Sequence, residues 1–383
     1  MKEYLTEGHQ IEVKSVSTRH QMSDFIGLPR KIYADCPQYV PDLDLDVRAM
    51  FRPKKNTALE FCDIQPFVAY RGSEAVGRIV AIINRRANER WQRACVRFGF
   101  IEFEDDTEVS RGLLEAVGEW GRERGMQRII GPLGITDFDK EGMLVEDFDL
   151  QGSMTSIYNP AYYPQHMQAL GFQKEVDWLQ VRINVPQEVP ARYQRVAQYA
   201  REQVGLHVRK MTVEELKGDY SQRVFQLLNE AYAQLYGFTE FTPGQVRDFV
   251  HKYLNVLDLR LVPVVENEQG ELVGVAVTMR SIADALRQSR GRLLPVSWFR
   301  LLKALRHPHS DGAEMLLVAV RQDYQGLGVN ALFFDDLIPI YNQCGITWAE
   351  TGPQLEDNMR VLSQWKPLNP TFVKRRRCFG KEI

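Results

Sequence analysis

The sequence predicts an α/β (α+β) chain built as two halves of one design. Three observations carry this. At 383 residues the chain is long for a single core. Each half contains a plain β-hairpin between runs of helical periodicity. Each half also reads in the same order: strand, helices, hairpin, strand, helix, strand, helix, strand, a duplication of architecture without obvious sequence identity.

In the first half, Ile11–Val16 alternates as a strand, and the prolines at 29, 37 and 41 break the stretch from His20 to Met50 into helix and loop. Phe67–Asn84 is a hairpin that turns at Arg71-Gly72-Ser73-Glu74. Arg97–Glu104 is a strand. From Asp106 to Gly125 the pattern is helical, with Leu113, Leu114, Val117 and Trp120 on one face and Gly125 as the stop. The strand MQRIIGPLG, the short helix YYPQHMQALGF and the closing strand DWLQVRINV complete this half.

The second half opens with the strand LHVRKM and two helical stretches between Val213 and Tyr253. A hairpin over Arg260–Ser281 turns at Glu266 to Gly270. A basic helical insertion, 282–309, has WFRLLKALRHPH as its core, with Trp298, Phe299, Leu301, Leu302 and Leu305 near Arg287, Arg290, Arg292 and Arg300; it reads as a buried amphipathic helix or as a lid. The strand Leu316–Val320, a turn, a helix from about Asn330, the strand Gly345–Thr351 and a basic tail follow. The join falls in Ile183–Gln194 or just after Val204, which gives units 1–190 and 191–383.

Composition narrows the class. A formal charge of −2 provides no global field toward DNA or anionic lipid. Five scattered cysteines without a CxxC pair argue against a disulfide framework or structural zinc and suit a reducing, cytoplasmic setting. The polar start MKEYLTEGHQIEVK is unlike a signal peptide, and no stretch has the length of a membrane span.

The segment EMLLVAVRQDYQGLGVNALFFDDL, Glu314 to Leu337, carries the chemical signal. A phosphate cradle needs consecutive backbone N–H groups converging at a helix N-terminus, where free donors and the helix dipole act together. Glycines let an anion approach without a Cβ in the way. Strand, glycine-bearing turn and helix supply this grammar, although a bare strand-to-helix connector has it too.

Within this segment, the run from Val318 to Asn330 resembles the coenzyme A signature of the GNAT acyltransferase superfamily. The Q/R-x-x-G-x-G/A pattern falls on Gln325, Gly328 and Asn330, after a V-x-V strand and the acidic-aromatic pair Asp323-Tyr324. The duplicated element order is similar to tandem GNAT folds. The resemblance implies two GNAT-like domains, each a mixed, mostly antiparallel twisted sheet flanked by helices. It implies acetyl-CoA or another acyl-CoA held by the amides of Gln325, Gly326, Leu327, Gly328, Val329, Asn330 and Ala331, by the strand edge at Val318 and Val320, and by Asn358. Asn330 departs from the usual Gly or Ala and narrows the site. GPLGITDFDKEGMLVEDFD and YNPAYYPQHMQALGF resemble segments of uncharacterised bacterial tandem GNAT-like proteins. The first half's counterpart of the cradle carries Asp105, Asp106 and Glu108, which suit a helix start but repel a pyrophosphate.

Acyl transfer to an amine needs a base for the ammonium proton and an acid for the leaving thiolate. The family's general acid, a tyrosine seven residues past an Asn, becomes Trp365 here, so Tyr341 or Cys344 substitutes, or the thiolate leaves unassisted. Glu350, sharing a strand face with Trp348, and Glu314 are candidate bases; the plainer reading of Glu350 is a strand-end carboxylate in solvent or on an arginine. Lys374-Arg375-Arg376-Arg377 reads as a solvated, charge-guarded edge strand, or as a set of arginine forks for an acidic group. The expected function is an acyl-CoA-dependent N-acyltransferase acting on a small-molecule or peptide amine. A non-catalytic acyl-CoA sensor or scaffold and an aminoacyl-tRNA-dependent transferase are the alternatives.

Overall fold

The computed structural model describes residues 10–253, 256–292 and 310–383. The core of the expected insertion, 293–309, lies outside the described residues. The strands are β1 (Ile11–Ser15), β2 (Cys62–Arg71), β3 (Glu74–Asn84), β4 (Cys95–Phe103), β5 (Arg128–Gly131), β6 (Met143–Leu144), β7 (Gln173–Asn184), β8 (His207–Lys210), β9 (Pro263–Glu266), β10 (Leu272–Arg280), β11 (Gly312–Val320), β12 (Trp348–Thr351), β13 (Gln354–Leu355) and β14 (Thr371–Glu382). The helices among the described residues are α1 (Arg19–Ile32), α2 (Asp44–Met50), α3 (Arg85–Arg90), α4 (Thr107–Arg122), α5 (Tyr162–Ala169), α6 (Ala191–Gln203), α7 (Val213–Lys217), α8 (Tyr220–Tyr232), α9 (Pro243–Tyr253), α10 (Ala283–Ser289), α11 (Val329–Gln343) and α12 (Met359–Ser363). Three helices, not two stretches, therefore fill 213–253. None of the described helices is long and apolar enough to cross a membrane.

The duplication is visible in the pairing. Each half runs as an antiparallel meander, β1-β2-β3-β4 and β8-β9-β10-β11, and then adds one parallel neighbour, β5 beside β4 and β12 beside β11. Local chemistry explains the elements. The β2–β3 hairpin turns through Gly72 at φ 63°, and Thr18 and Gln21 form a capping box that starts α1. Leu113, Leu114 and Val117 of α4 are buried under the first half, as their spacing requires.

The halves are joined by exchange rather than by a linker alone. The sheet is continuous, in the order β1-β2-β3-β4-β5-β14-β7-β12-β11-β10-β9-β8. The C-terminal β14 thus lies between β5 and β7 of the first half, and β7 pairs with β12 of the second. The basic tail is a strand, but the expected solvated edge is corrected: β14 is central. Its alternation sends Lys374 and Arg376 into the interior on one face, 2% and 1% exposed, and Arg375 and Arg377 to the other, where both bind Asp177. Buried cations persist only with partners, and each of these four has them.

One face of the second half buries α6, α11 and α12 against Val181, Ile183, Ala313 and Ala349. The opposite face takes α8 and α9, with Phe138 of the first half packed on Phe241 at 4.3 Å. A fragment comprising 1–190 lacks the strand that fills the gap between β5 and β7. Expressed alone, it is expected to show no cooperative thermal transition by circular dichroism, whereas the full chain shows one.

Candidate active site

β11 and β12 run in parallel register only from Gly312↔Trp348 to Met315↔Thr351, with Gly352 N donating to Met315 O at 2.9 Å. Beyond Met315 they part. A bulge helps to turn β11 away: Val277 and Thr278 of β10 face Leu317 and Met315, which leaves Leu316 as the extra residue. Arg321 N donates to Val273 O, so by antiparallel alternation Leu317 and Ala319 bond β10 while Val318 and Val320 turn their N–H and C=O groups to the opening. Two side chains touch this edge. Tyr232 donates to Val318 O at 2.9 Å, and Gln325 Nε2 lies 3.4 Å from Val320 O. Most of β11 beyond Ala313 is partly exposed, so the opening is a cleft.

The turn that follows is positioned by its own contacts. Arg321 forks onto Asp323 at 2.8 and 3.0 Å and lies over the Tyr324 ring, whose hydroxyl accepts from Asn267. Gly326 and Gly328 have φ of 83° and 95°. A Cβ on Gly328 would meet Ala200 and Val196 O at 3.0 and 3.1 Å, so that glycine serves both the left-handed backbone and packing against α6. The helix α11 begins at Val329, and its first bond is Leu332 N to Gly328 O. The amides of Gly328, Val329, Asn330 and Ala331 stand ahead of that bond without an intrahelical acceptor. Val329 and Ala331 bury their side chains and offer only backbone, Leu327 and Gln325 remain partly or fully exposed, and Asn330 has a buried Oδ1 without a hydrogen-bond partner among the described residues. Strand edge and helix N-terminus together fit a donor that carries amides and a pyrophosphate.

At the root of the cleft stand two carboxylates. Glu314 and Glu350 are directly paired in the parallel register, 4% and 3% exposed, on the face opposite α11. Their partners differ. Glu350 receives Lys374 Nζ at 2.6 Å, Arg182 at 2.6 and 3.0 Å, and Gln180 at 3.1 Å. Among the described residues, Glu314 receives only neutral donors: Ser281 Oγ at 3.1 Å, Thr155 Oγ1 at 3.3 Å and Met154 N at 3.4 Å. Burial pushes the Glu314 carboxyl above its ordinary range, and the charge on Glu350 adds to this while Lys374 opposes it. Burial likewise lowers Lys374, with Glu350 pulling it back up.

The other candidates lie elsewhere. Tyr341 is 3% exposed in the apolar cluster on the α11 face, the side of the sheet away from the carboxylates, and burial pushes its phenol up. Trp365 is also core, edge-on to Phe334 at 5.5 Å. Asn358 caps α12 through Val361 N. The sequence reading missed Gln180, Arg182 and the hydroxyl segment Ser153–Ser156 of the first half. The polar run GSMTS, 152–156, was the available signal, but its partner was remote in sequence.

The first half has the same frame without the same site. The third parallel pair, Glu314↔Glu350 in the second half, is Arg97↔Ile130 in the first. Arg97 bonds Asp137 rather than a neighbouring acid. The edge of β4 is filled by α5: Phe103 N donates to the Tyr163 hydroxyl at 2.8 Å, and Tyr162 donates to Phe103 O at 2.5 Å. Asp106 caps the start of α4. Between these lies Glu102, buried under the Tyr33 and Tyr163 hydroxyls at 2.5 and 2.9 Å.

Comparison with known proteins identifies the class first. The chain has the tandem GNAT fold: a tandem GNAT protein from the clavulanic acid biosynthesis pathway superposes with a TM-score of 0.57 at 12% identity, over 97% of this chain and 98% of that one. A GCN5-related N-acetyltransferase from Sphaerobacter thermophilus matches at 0.52 and 12% identity, over 97% and 96%. No family model matches the chain. Among curated relatives, the bacterial ceramide synthase of Caulobacter vibrioides is 28% identical over 316 residues, 82% of each chain. Protein YghO of Escherichia coli is 25% identical over 382 residues, 97% of this chain and 95% of that protein.

The buried Glu102 gives a pH signature. Burial, opposed by Arg78 and the two tyrosines, pushes its carboxyl from 4.5 up to about 7. The folded state then holds a proton that the unfolded state has released, so this group costs stability as pH rises from about 4.5 to about 7. Urea titrations of wild type and Glu102→Gln at pH 5 and pH 8 are expected to show the wild type losing up to ~3 kcal/mol relative to the variant over that interval.

Proposed function

We propose that this chain is an N-acyltransferase whose second half, 191–383, binds an acyl-CoA in the β11–β12 cleft and passes the acyl group to an amine. The observation that carries the reading is the convergence of an open strand edge, a free helix N-terminus and a buried carboxylate pair at one cleft. The amides of Gly328 to Ala331 hold the pyrophosphate, with Gln325, Gly326 and Leu327 bordering it, and Val318 and Val320 align the pantetheine arm. The donor supplies an activated thioester. Glu314, raised by burial and without a direct cation among the described residues, takes the proton from the acceptor ammonium. The amine nitrogen then bonds the carbonyl carbon, the C–S bond breaks, the nitrogen gives its second proton to solvent, and the departing thiolate takes one back from solvent. Glu350, clamped by Lys374 and Arg182, ties β12 to β7 and β14. Tyr341 has a packing role here, and Asn358 sets the start of α12. The first half, 1–190, closed by Tyr162 and Tyr163, shapes the acceptor side.

The name of the Caulobacter relative supports a narrower acceptor. Ceramide is an amide of a long-chain amine, and that protein aligns over 82% of this chain. A long-chain amino alcohol with a fatty acyl-CoA is accordingly the substrate pair to try first.

Purified protein is mixed with acetyl-CoA or long-chain acyl-CoA and a panel of amines, and free thiol is followed. Thiol release that depends on the amine is expected, and Glu314→Gln is expected to lower kcat by ~10²–10⁴-fold with the melting temperature retained. A melting-temperature rise with acyl-CoA and no thiol release with any amine favours a sensor. Absence of any shift with any acyl-CoA overturns the donor assignment.

A further inference from the structure

The first half does more than cover the cleft. Its segment Ser153-Met154-Thr155-Ser156 lies over Glu314, and its hydroxyls form a chain whose two ends are charged. Arg376 Nη2 donates to Ser156 Oγ at 2.8 Å, Ser156 and Ser153 hydroxyls are 2.7 Å apart, Ser153 and Thr155 are 3.2 Å apart, and Thr155 donates to Glu314 Oε2 at 3.3 Å. The ends fix the direction of every hydrogen. Ser156 accepts from a guanidinium and, because the one Ser153 hydrogen goes to Thr155, donates to Ser153. A carboxylate only accepts, so Thr155 donates to it and takes the Ser153 proton on its own oxygen. All the dipoles then point from cation to anion, the arrangement in which successive hydrogen bonds strengthen one another.

We infer that Ser153 and Thr155 of the first half are positioning residues for acyl transfer, holding Glu314 in its ionised, proton-accepting form through a polarised hydroxyl chain anchored on Arg376. This rests on Glu314 acting as the base. Among the described residues, the other groups facing Glu314 are Ser281 at the end of β10, Glu350 on β12 and Lys374 on β14. Ser281 and the Met154 amide also donate, but neither connects to a cation in this way. Arg376 is itself fixed by Gln180 at 2.8 Å, and Gln180 reaches Glu350. One strand, β14, thus supplies a cation toward each carboxylate: Lys374 directly to Glu350, and Arg376 through three hydroxyls to Glu314.

The test is the pH dependence of kcat/KM in the full chain. Because the chain favours the anion, breaking it raises the pH at which the base ionises. Thr155→Val is expected to move the acid limb upward by ~1 pH unit, and Thr155→Ser to return it to the wild-type position. Ser153→Ala, which does not touch Glu314, is expected to move the limb in the same direction by about half as much. Melting temperatures of the three variants monitor folding. An acid limb unmoved in Thr155→Val, or moved there but not in Ser153→Ala, overturns the hydroxyl chain while leaving the base assignment intact. Wild-type kcat/KM in Glu314→Gln instead overturns the base assignment.

Discussion

The exchange of β7 and β14 is the constraint on which everything else depends. Each half needs both strands: the first places β14 against β5, the second places β7 against β12, and the two strands pair with each other in between. A strand so central buries one face fully and the other in part, and β14 carries four consecutive cations. Its surroundings are therefore obliged to supply anions. Asp177, Glu356 and Glu146 do so on one face, and Glu350 does so on the other. Breaking a buried pair of this kind by removing one partner costs ~3–5 kcal/mol. The carboxylate pair at the cleft is thus tied to the same ion network that makes the exchange tolerable.

The two halves show how one frame yields two outcomes. In both, a parallel pair parts beyond its first few residues and frees a strand edge. In the first half, α5 inserts two tyrosines whose hydroxyls take the backbone groups of Phe103, so the edge is satisfied from within the chain. In the second, Tyr232 takes one carbonyl, and most of the strand beyond Glu314 stays partly exposed. Where the second half pairs Glu314 with Glu350, the same register of the first half holds Arg97 and Ile130, and no carboxylate pair. Backbone satisfaction and charge thus distinguish the closed edge of the first half from the open one of the second.

Much of this was legible in the sequence because the signals are local. Hairpins, the α4 stripe, and the strand, glycine turn and helix from Glu314 depend on periodicity and on left-handed glycines, which neighbouring residues determine. The resemblance at Gln325 and Gly328 gave the fold. The place of the basic tail was not legible, since Lys374 to Arg377 alternate identically in an edge strand and in a central one. What separates the two is the presence of Asp177 and Glu350, far away along the chain. Glu350 was visible as a carboxylate on a strand, but the clamp of Arg182, Lys374 and Gln180 was not, nor was the hold of Thr155 on Glu314, because register across exchanged strands is a property of the whole sheet.

The central position of β14 also has a consequence in time. Its residues are synthesised roughly 190 residues after those of β7, its partner. At ~5–20 residues per second, β7 waits on the order of ten to forty seconds with an edge unpaired. An open strand edge invites pairing with another chain. The nascent protein therefore passes through an interval in which a second copy could supply the missing strand, and the speed of translation, as much as the stability of the finished sheet, governs whether the chain completes itself or is completed by its neighbour.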